Sequence, residues 1–366
     1  MKFSIQREAI LQPLSQVVGV VERRQTLPVL ANFLIVAKED QISVTGTDME
    51  VELVARASAT VSAEGETTVP ARKLLDICRA LPDGVEISFE QEGERVLVKA
   101  GRSRFTLSTL PASEFPTIEA TDSMQTVQIA EKGLKQILDK TAFAMANGDV
   151  RYYLNGLLFD LSSTRLRTVA TDGHRLALSD LNTQLNLDAD LKLIVPRKGV
   201  LELIRMLSDS DQSVELGLSE KFVRLVRGEV MFTSKLIDGR FPEYQAVIPV
   251  GAEKSFRTDR AEMIRALQRV SILSNEKYHG VRLELVDNNM KIVAHNRDQE
   301  EAVENLTIEQ DMENTQLGFN VTYLLDALNA LDSEMVVMSM QDPSSSCLVT
   351  EPDNDNIRHV VMPLKL

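Results

Sequence analysis

Two cysteines and four histidines in 366 residues, with no apolar run long enough to span a bilayer, exclude several function classes. Cys78 sits inside an apolar helical stripe and Cys347 in "SSSCLV", so neither makes a metal or redox spacing. His174, His279, His295 and His359 are scattered and form no ligand set, and no metal or cofactor is expected. A G-x-x-x-x-G-K-[ST] phosphate loop is missing, so the chain has no visible means of consuming a nucleotide itself. The opening "MKFSIQREAIL" lacks the apolar centre of a secretory signal, and cysteine is scarce; a reducing cytoplasm is the expected location, without a membrane. Low-complexity tracts and Pro- or Ser-rich linkers are also missing. At 43% hydrophobic and 26% charged residues the composition is that of a folded protein, and the length calls for two or three domains.

What is present is repetition. "VPARKLLDICRAL" (69–81) returns as "VPRKGVLELIRML" (195–207) and more faintly as "FNVTYLLDALNAL" (319–331). Other landmarks keep the same step. Asp48, Asp172 and Asn296 close "GTD", "ATD" and "AHN" at intervals of 124, and Pro116 and Pro242 lie 126 apart in two "FP" turns. Amphipathic helical patterns open each copy at 6–18, 130–146 and 259–273; in the last, Met263, Leu267 and Val270 recur at i, i+4 and i+7. Each is followed by two strand-like runs around a polar turn: "KED", "SST" or "DNN". A period near 125 is a whole domain, not a solenoid unit. The reading is an α+β protein of three similar domains, 1–125, 126–253 and 254–366, each with two helices and antiparallel sheets.

Charge is not spread evenly. The six helical segments 7–18, 72–81, 131–141, 197–207, 259–270 and 321–331 together carry +5, leaving −19 elsewhere in a chain of net charge −14. A basic helical face on an acidic body suits contact with phosphate on one side only. Near the end of the first domain, "GERVLVKAGRSRFTLSTL" holds Arg95, Lys99, Arg102 and Arg104; in the third, "RDQEEAVENL" holds Asp298, Glu300, Glu301 and Glu304. Oppositely charged sheet edges of this kind select each other in a head-to-tail dimer, which closes a ring. Twelve inner helices of ~10 Å diameter give a circle of roughly 120 Å and on the order of 28 Å clear, enough for a DNA duplex.

Long segments carry a family likeness: "TVPARKLLDICRALPDG", "GRSRFTLSTLPASEFP", "DVRYYLNGLLF", "TVATDGHRLA", "FTSKLIDGRFPEY", "ILSNEKYHGVRL" and the terminal "VVMPLKL". Together they resemble the bacterial sliding clamps, the beta subunits of DNA polymerase III, over the whole chain. The resemblance implies the DNA clamp fold, with two chains closing a six-domain homodimeric ring around duplex DNA regardless of its sequence. It implies a non-catalytic processivity subunit that tethers the replicative polymerase, is placed on DNA by an ATP-driven clamp loader, and serves other polymerases and repair proteins through short peptide motifs.

The resemblance also assigns residues. For DNA it points to Arg24, Arg72, Lys73, Arg151, Tyr152, Tyr153, Arg197 and Lys198, with at least one of the two tyrosines meeting DNA. Gly148 departs from the family's frequent Gln and offers no side chain. For an apolar groove that takes partner peptides it points to Leu154, Thr171, Gly173, His174, Arg175, Leu176, Pro242, Val247, Asn320, Ser346, Val360, Met362, Pro363 and Leu364, with Ala246 where relatives often carry Arg. For the dimer, Phe105 and Leu107 of one chain would meet Ile272 and Leu273 of the other. Arg102 and Arg104 would face Glu300, Glu301 and Glu304, and Lys73 would lie near Asp298. Two other readings follow from the residues alone: a repeat-built scaffold that binds only proteins, and a hydrolase using Asp172 and His174 of "TDGHR".

Overall fold

The computed structural model describes residues 1–21, 27–118, 124–252, 254–310 and 313–365. Its six α-helices are α1 (Arg7–Val17), α2 (Ala71–Ala80), α3 (Glu131–Asp139), α4 (Arg197–Met206), α5 (Arg260–Ser271) and α6 (Val321–Asn329). They share one design. In α2 the buried positions are Ala71, Leu74, Leu75 and Cys78; in α5, Met263, Ala266, Leu267 and Val270; in α6, Val321, Leu324, Ala327 and Leu328. The sets in α2 and α5 follow i, i+3, i+4, i+7 and that in α6 i, i+3, i+6, i+7, and either spacing places four side chains on one face. A fully buried leucine in such a stripe contributes roughly 1.5–3 kcal/mol. Asp259 caps α5, accepting from the Glu262 N–H at 2.7 Å, and Asn320 caps α6, accepting from the Thr322 N–H at 2.9 Å.

The described residues fall into two compact units, Met1–Lys132 with Leu201–Leu236, and Gly133–Val200 with Ile237–Leu366. The first holds a five-stranded sheet in the order Thr60–Ala63, Lys2–Gln6, Glu86–Glu92, Arg95–Ala100, Ser103–Ser108. Its eight-stranded sheet joins two repeats. Gln125–Ala130, Ser213–Leu218, Phe222–Arg227 and Val230–Lys235 continue into Val51–Ser58, Gln41–Thr47, Asn32–Lys38 and Gly65–Pro70. The seam is antiparallel, with Phe232 opposite Leu53.

The second unit repeats the device. A nine-stranded sheet runs Leu191–Pro196, Gly156–Ser162, Arg165–Thr171, Arg175–Asn182, then Asn354–Val361, Cys347–Glu351, Met335–Met340, Lys254–Asp259 and Glu309–Gln310. Leu178 stands opposite Arg358 at its seam. The four-stranded sheet runs Glu301–Thr307, Asn289–His295, Gly280–Val286, Thr315–Asn320, and packs α5 and α6 over a core that includes Leu283, Ile292 and Phe319. Joining strands across repeats removes edges that would otherwise stay unpaired.

The repeat landmarks do the same work in each copy. The Asp48 carboxylate accepts from the N–H groups of Glu50 and Val51, that of Asp172 from His174 and Arg175, and the Asn296 side-chain oxygen from Asp298 and Glu300. All three are Asx turns between consecutive strands. One expectation needs correction. The helical pattern of 130–146 stops as α-helix at Asp139, because the Thr141 hydroxyl bonds back to the Ile137 carbonyl at 2.7 Å. A 3-10 turn, Ala142–Ala144, follows. Between the helix and this turn, at Lys140, the chain is tied to α6 through His359, fully buried, whose Nε2 lies 3.0 Å from the Lys140 carbonyl and Nδ1 3.1 Å from that of Ala327.

Candidate functional site

All the predicted groove residues belong to the second unit. Their floor is apolar because strand alternation turns Leu176 and Val360, opposite each other across the seam, to the same side. Both are buried, as is Leu154; Leu176 and Val360 pack with Leu158, Val169, Phe241 and Tyr244, while Tyr153, Ile237, Ile248 and Leu348 close the cluster's edge. These three predicted residues are therefore core in the isolated chain. A cavity of ≈ 250 Å³ adjoins the cluster at Gly239–Tyr244 and takes only Pro242 from the predicted set. Pro242 and Val247 are exposed. Their segment is anchored by Tyr244, whose hydroxyl donates to the Asp160 carboxylate at 2.8 Å.

The remaining predicted groove residues include the C-terminal tail. The Met362 N–H donates to the His174 carbonyl at 3.0 Å, and the Ser346 hydroxyl lies 3.0 Å from the Met362 sulfur. The Leu364 N–H donates to the Gly318 carbonyl at 2.8 Å. Thr171 donates its hydroxyl to the Arg175 carbonyl at 2.6 Å and receives the Gly173 N–H at 3.1 Å. Gly173 has φ +88°, a backbone conformation that favours glycine, and a Cβ there would stand 3.1 Å from the Arg151 guanidinium and push that tip aside. Arg175 is the central tie. It pairs with Asp172 at 3.1 Å and with Asp326, donates to the Phe143 carbonyl at 2.9 Å, and stacks over the Tyr323 ring. Sequence reasoning missed Phe143, Tyr323 and Asp326, which carry no signal beyond flanking ordinary apolar stripes.

The imagined hydrolase pair does not form. The Asp172 carboxylate is occupied by its own turn and by Arg175, and the His174 ring stacks on Tyr323 at 6.3 Å. Both thiols are likewise inert: burial pushes Cys78 and Cys347 up to about 12.

Among the DNA candidates, Arg24 lies outside the described residues. Arg72 and Lys73 are exposed in the first turn of α2, with the Arg72 guanidinium donating to the Val21 carbonyl at 3.0 Å. In the second unit Arg151 is held by Asp149 at 2.8 Å, and its hydrogen bonds hold the Asp149 carboxyl down to about 2. Tyr152 is 57% exposed; Tyr153 is half-buried against the Leu158–Phe241 cluster. Gly148, at φ +73°, has open space around it. Arg197 donates to the Met145 carbonyl at 3.1 Å, and it and Lys198 are half-buried.

The proposed dimer residues lie on two sheet edges. Ser103–Ser108 ends the five-stranded sheet, with Arg102 and Arg104 exposed, Phe105 half-buried and Leu107 buried. Glu301–Thr307 ends the four-stranded sheet. Ile272, just past α5, is 78% exposed, Leu273 is half-buried, and Asp298, Glu300 and Glu301 are exposed. Glu304 faces inward instead. Arg269 of α5 grips it through two hydrogen bonds of 2.7 and 2.8 Å, which lower its pKa. In the isolated chain this carboxylate is already paired.

Three family models match in order along the chain: the DNA polymerase III beta subunit N-terminal domain over residues 1–119, the central domain over 128–243 and the C-terminal domain over 245–365. The chain is 52% identical to the beta sliding clamp of Pseudomonas aeruginosa and 46% identical to that of Escherichia coli K12, covering the full length of both partners in each case. It superposes on the crystal structure of the Pseudomonas aeruginosa DNA polymerase III subunit beta with a TM-score of 0.96 at 50% identity, each chain fully covered. For Caulobacter crescentus pol III beta the TM-score is 0.94 at 36% identity, again with full coverage. Three repeats of one turn-and-helix design, spliced sheets and these likenesses have one meaning: the chain belongs to the DNA polymerase III beta subunit family, the non-catalytic sliding clamps that give a DNA polymerase its processivity.

Proposed function

We propose that two copies of this chain close head to tail into a ring around duplex DNA. The observation that carries the reading is a pair of sheet edges of opposite charge. Exposed Arg102 and Arg104 border Ser103–Ser108, exposed Glu300 and Glu301 border Glu301–Thr307, and Ile272 stands bare beside Leu273. Exposed ion pairs contribute below about 1 kcal/mol each, so Phe105, Leu107, Ile272 and Leu273 hold the contact while the charges set its direction. Glu304 joins only by exchanging Arg269 for a partner arginine, and Lys73 faces Asp298 at the margin. The domains are 1–125, 126–253 and 254–366.

Arg24, Arg72, Lys73, Arg151, Arg197 and Lys198 neutralise phosphate without reading bases, and Tyr152 stacks on or donates to the strand. The groove from Leu154 and Leu176 to Met362 and Leu364 takes apolar segments of the replicative polymerase, of an ATP-driven loader and of repair proteins, in the cytoplasm. An aliphatic surface with a flexible methionine suits several partners in turn.

Gel filtration of labelled protein on nicked circular plasmid tests the topological hold. The loaded protein stays on circles at high salt and leaves when the same circle is cut. Equal stripping by salt from circular and linear DNA would make it an ordinary electrostatic binder.

A further inference from the structure

A cavity of ≈ 430 Å³ opens beside the four-stranded sheet and shares Leu364 with the predicted groove residues. Its apolar lining is Val281, Val293 and Leu364; its polar lining includes Arg282, His295 and Lys365, and no carboxylate. That is notable on a chain of net charge −14. Val293 is 1% exposed although Asn289, Lys291 and His295, its neighbours on the same strand face, are exposed. The tail crosses here: Leu364 Cδ1 lies 3.8 Å from where a Cβ on Gly280 would stand.

The neighbouring charges are accounted for. Glu284 lies 2.9 Å from Arg282 Nε and 3.6 Å from Lys291, yet that Nε has no aligned hydrogen-bond partner. Glu301 lies 3.5 Å from His295 Nε2. Lys365 is exposed and makes no ion pair with a described residue.

The tail thus joins the predicted groove, at Met362, to the cavity, at Leu364. Two residues of extended chain cover roughly 7 Å, so a segment in the groove reaches the cavity within a few residues of crossing Pro363. We propose that this cavity is a second subsite for partner segments, taking an Asp or Glu beside an aliphatic residue just beyond the apolar part. The aliphatic side chain seats on Leu364 and the exposed Tyr278 ring, beside buried Val293, and the carboxylate sits between Arg282 and Lys365. The proposal rests on the groove reading above, and continuity with that groove and the cationic lining favour this occupant.

The test uses the full-length protein and fluorescent peptides. The core probe is amidated Ala-Leu-Ala-Leu-Phe. Two others add Gly-Gly-Asp-Leu after it or Leu-Asp-Gly-Gly before it, and controls carry Asn for Asp. One Asp extension binds about tenfold tighter than the core, the gain shrinking with salt. The gain disappears with Asn and in the Arg282→Gln/Lys365→Gln variant, which binds the core unchanged. Equal affinity for the core and both extensions overturns the subsite. Methyl spectra with acetyl-Asp-Leu amide separate this from failure of the groove. Shifts at Val293 and Leu364 support the subsite even if the core does not bind, and their absence counts against it even if the core does.

Discussion

The guanidinium carbon of Arg175 stands 4.6 Å from the centre of the Tyr323 ring, and the same guanidinium is paired with Asp326 one turn further along α6. Arg175 begins a strand of the second repeat, whereas Tyr323 and Asp326 belong to a helix of the third. With the Phe143 carbonyl and Asp172 as further partners, one side chain fastens the two repeats beside the groove. His174, next to it, faces Tyr323 with its ring, and its carbonyl holds the tail.

Arg175→Ala leaves Asp326 and the Phe143 carbonyl without their donor, and a loss of about 2–3 kcal/mol is expected in urea unfolding. Arg175→Lys keeps the charge but not the planar fork or the stacking, and recovers less than half of it. An unchanged unfolding midpoint in the alanine variant would remove Arg175 from its role as a tie.

At micromolar concentration, where the parent chain is expected to be a dimer, Ile272→Ala with Leu273→Ala gives folded monomers by light scattering. Ile272 is 78% exposed and Leu273 half-buried in the single chain, and neither belongs to the buried core of the third repeat. A double variant that stays dimeric sinks the assigned interface.

His359 makes stability depend on pH. Burial is the largest influence and lowers its pKa from 6.5 to about 4, outweighing the two carbonyls, which favour the protonated ring. The folded state therefore binds fewer protons than the unfolded state between these values. Its contribution is complete above pH 6.5 and fades as pH falls toward 4, by about 3 kcal/mol in all. Unfolding curves at pH 7 and pH 5 should differ less for His359→Gln than for the parent; equal differences would contradict the assignment.

The two adjacent tyrosines should separate. Tyr152→Ala lowers affinity for open duplex DNA without lowering the melting temperature, since its ring is exposed. Tyr153→Ala removes packing from the Leu158–Phe241 cluster and costs about 1–3 kcal/mol of stability. Each phosphate contact contributes roughly −0.9 to the log–log salt slope, so Arg72→Ala flattens that slope by about one contact. Identical melting temperatures for both tyrosine variants would refute the division of labour.

Local chemistry was legible in the amino-acid order. The stripe of Leu74, Leu75 and Cys78 depends on residues within two turns of each other, and the landmarks Asp48, Asp172 and Asn296 gave the period, though not the Asx turns that they make. The family likeness follows from the same segments. The charge runs at 95–104 and 298–304 marked two sheet edges, but only tertiary structure decided which strands pair across repeats, because a strand's alternation says which face is buried but not which strand lies beside it. Thus Phe232 found Leu53 and Leu178 found Arg358 across repeats, while Ser103–Ser108 and Glu301–Thr307 remained terminal. Charge partners obeyed the same limit. Glu304 belongs to Arg269 and Arg175 to Asp326 because packing brought them within reach, a distance that no spacing in the chain encodes.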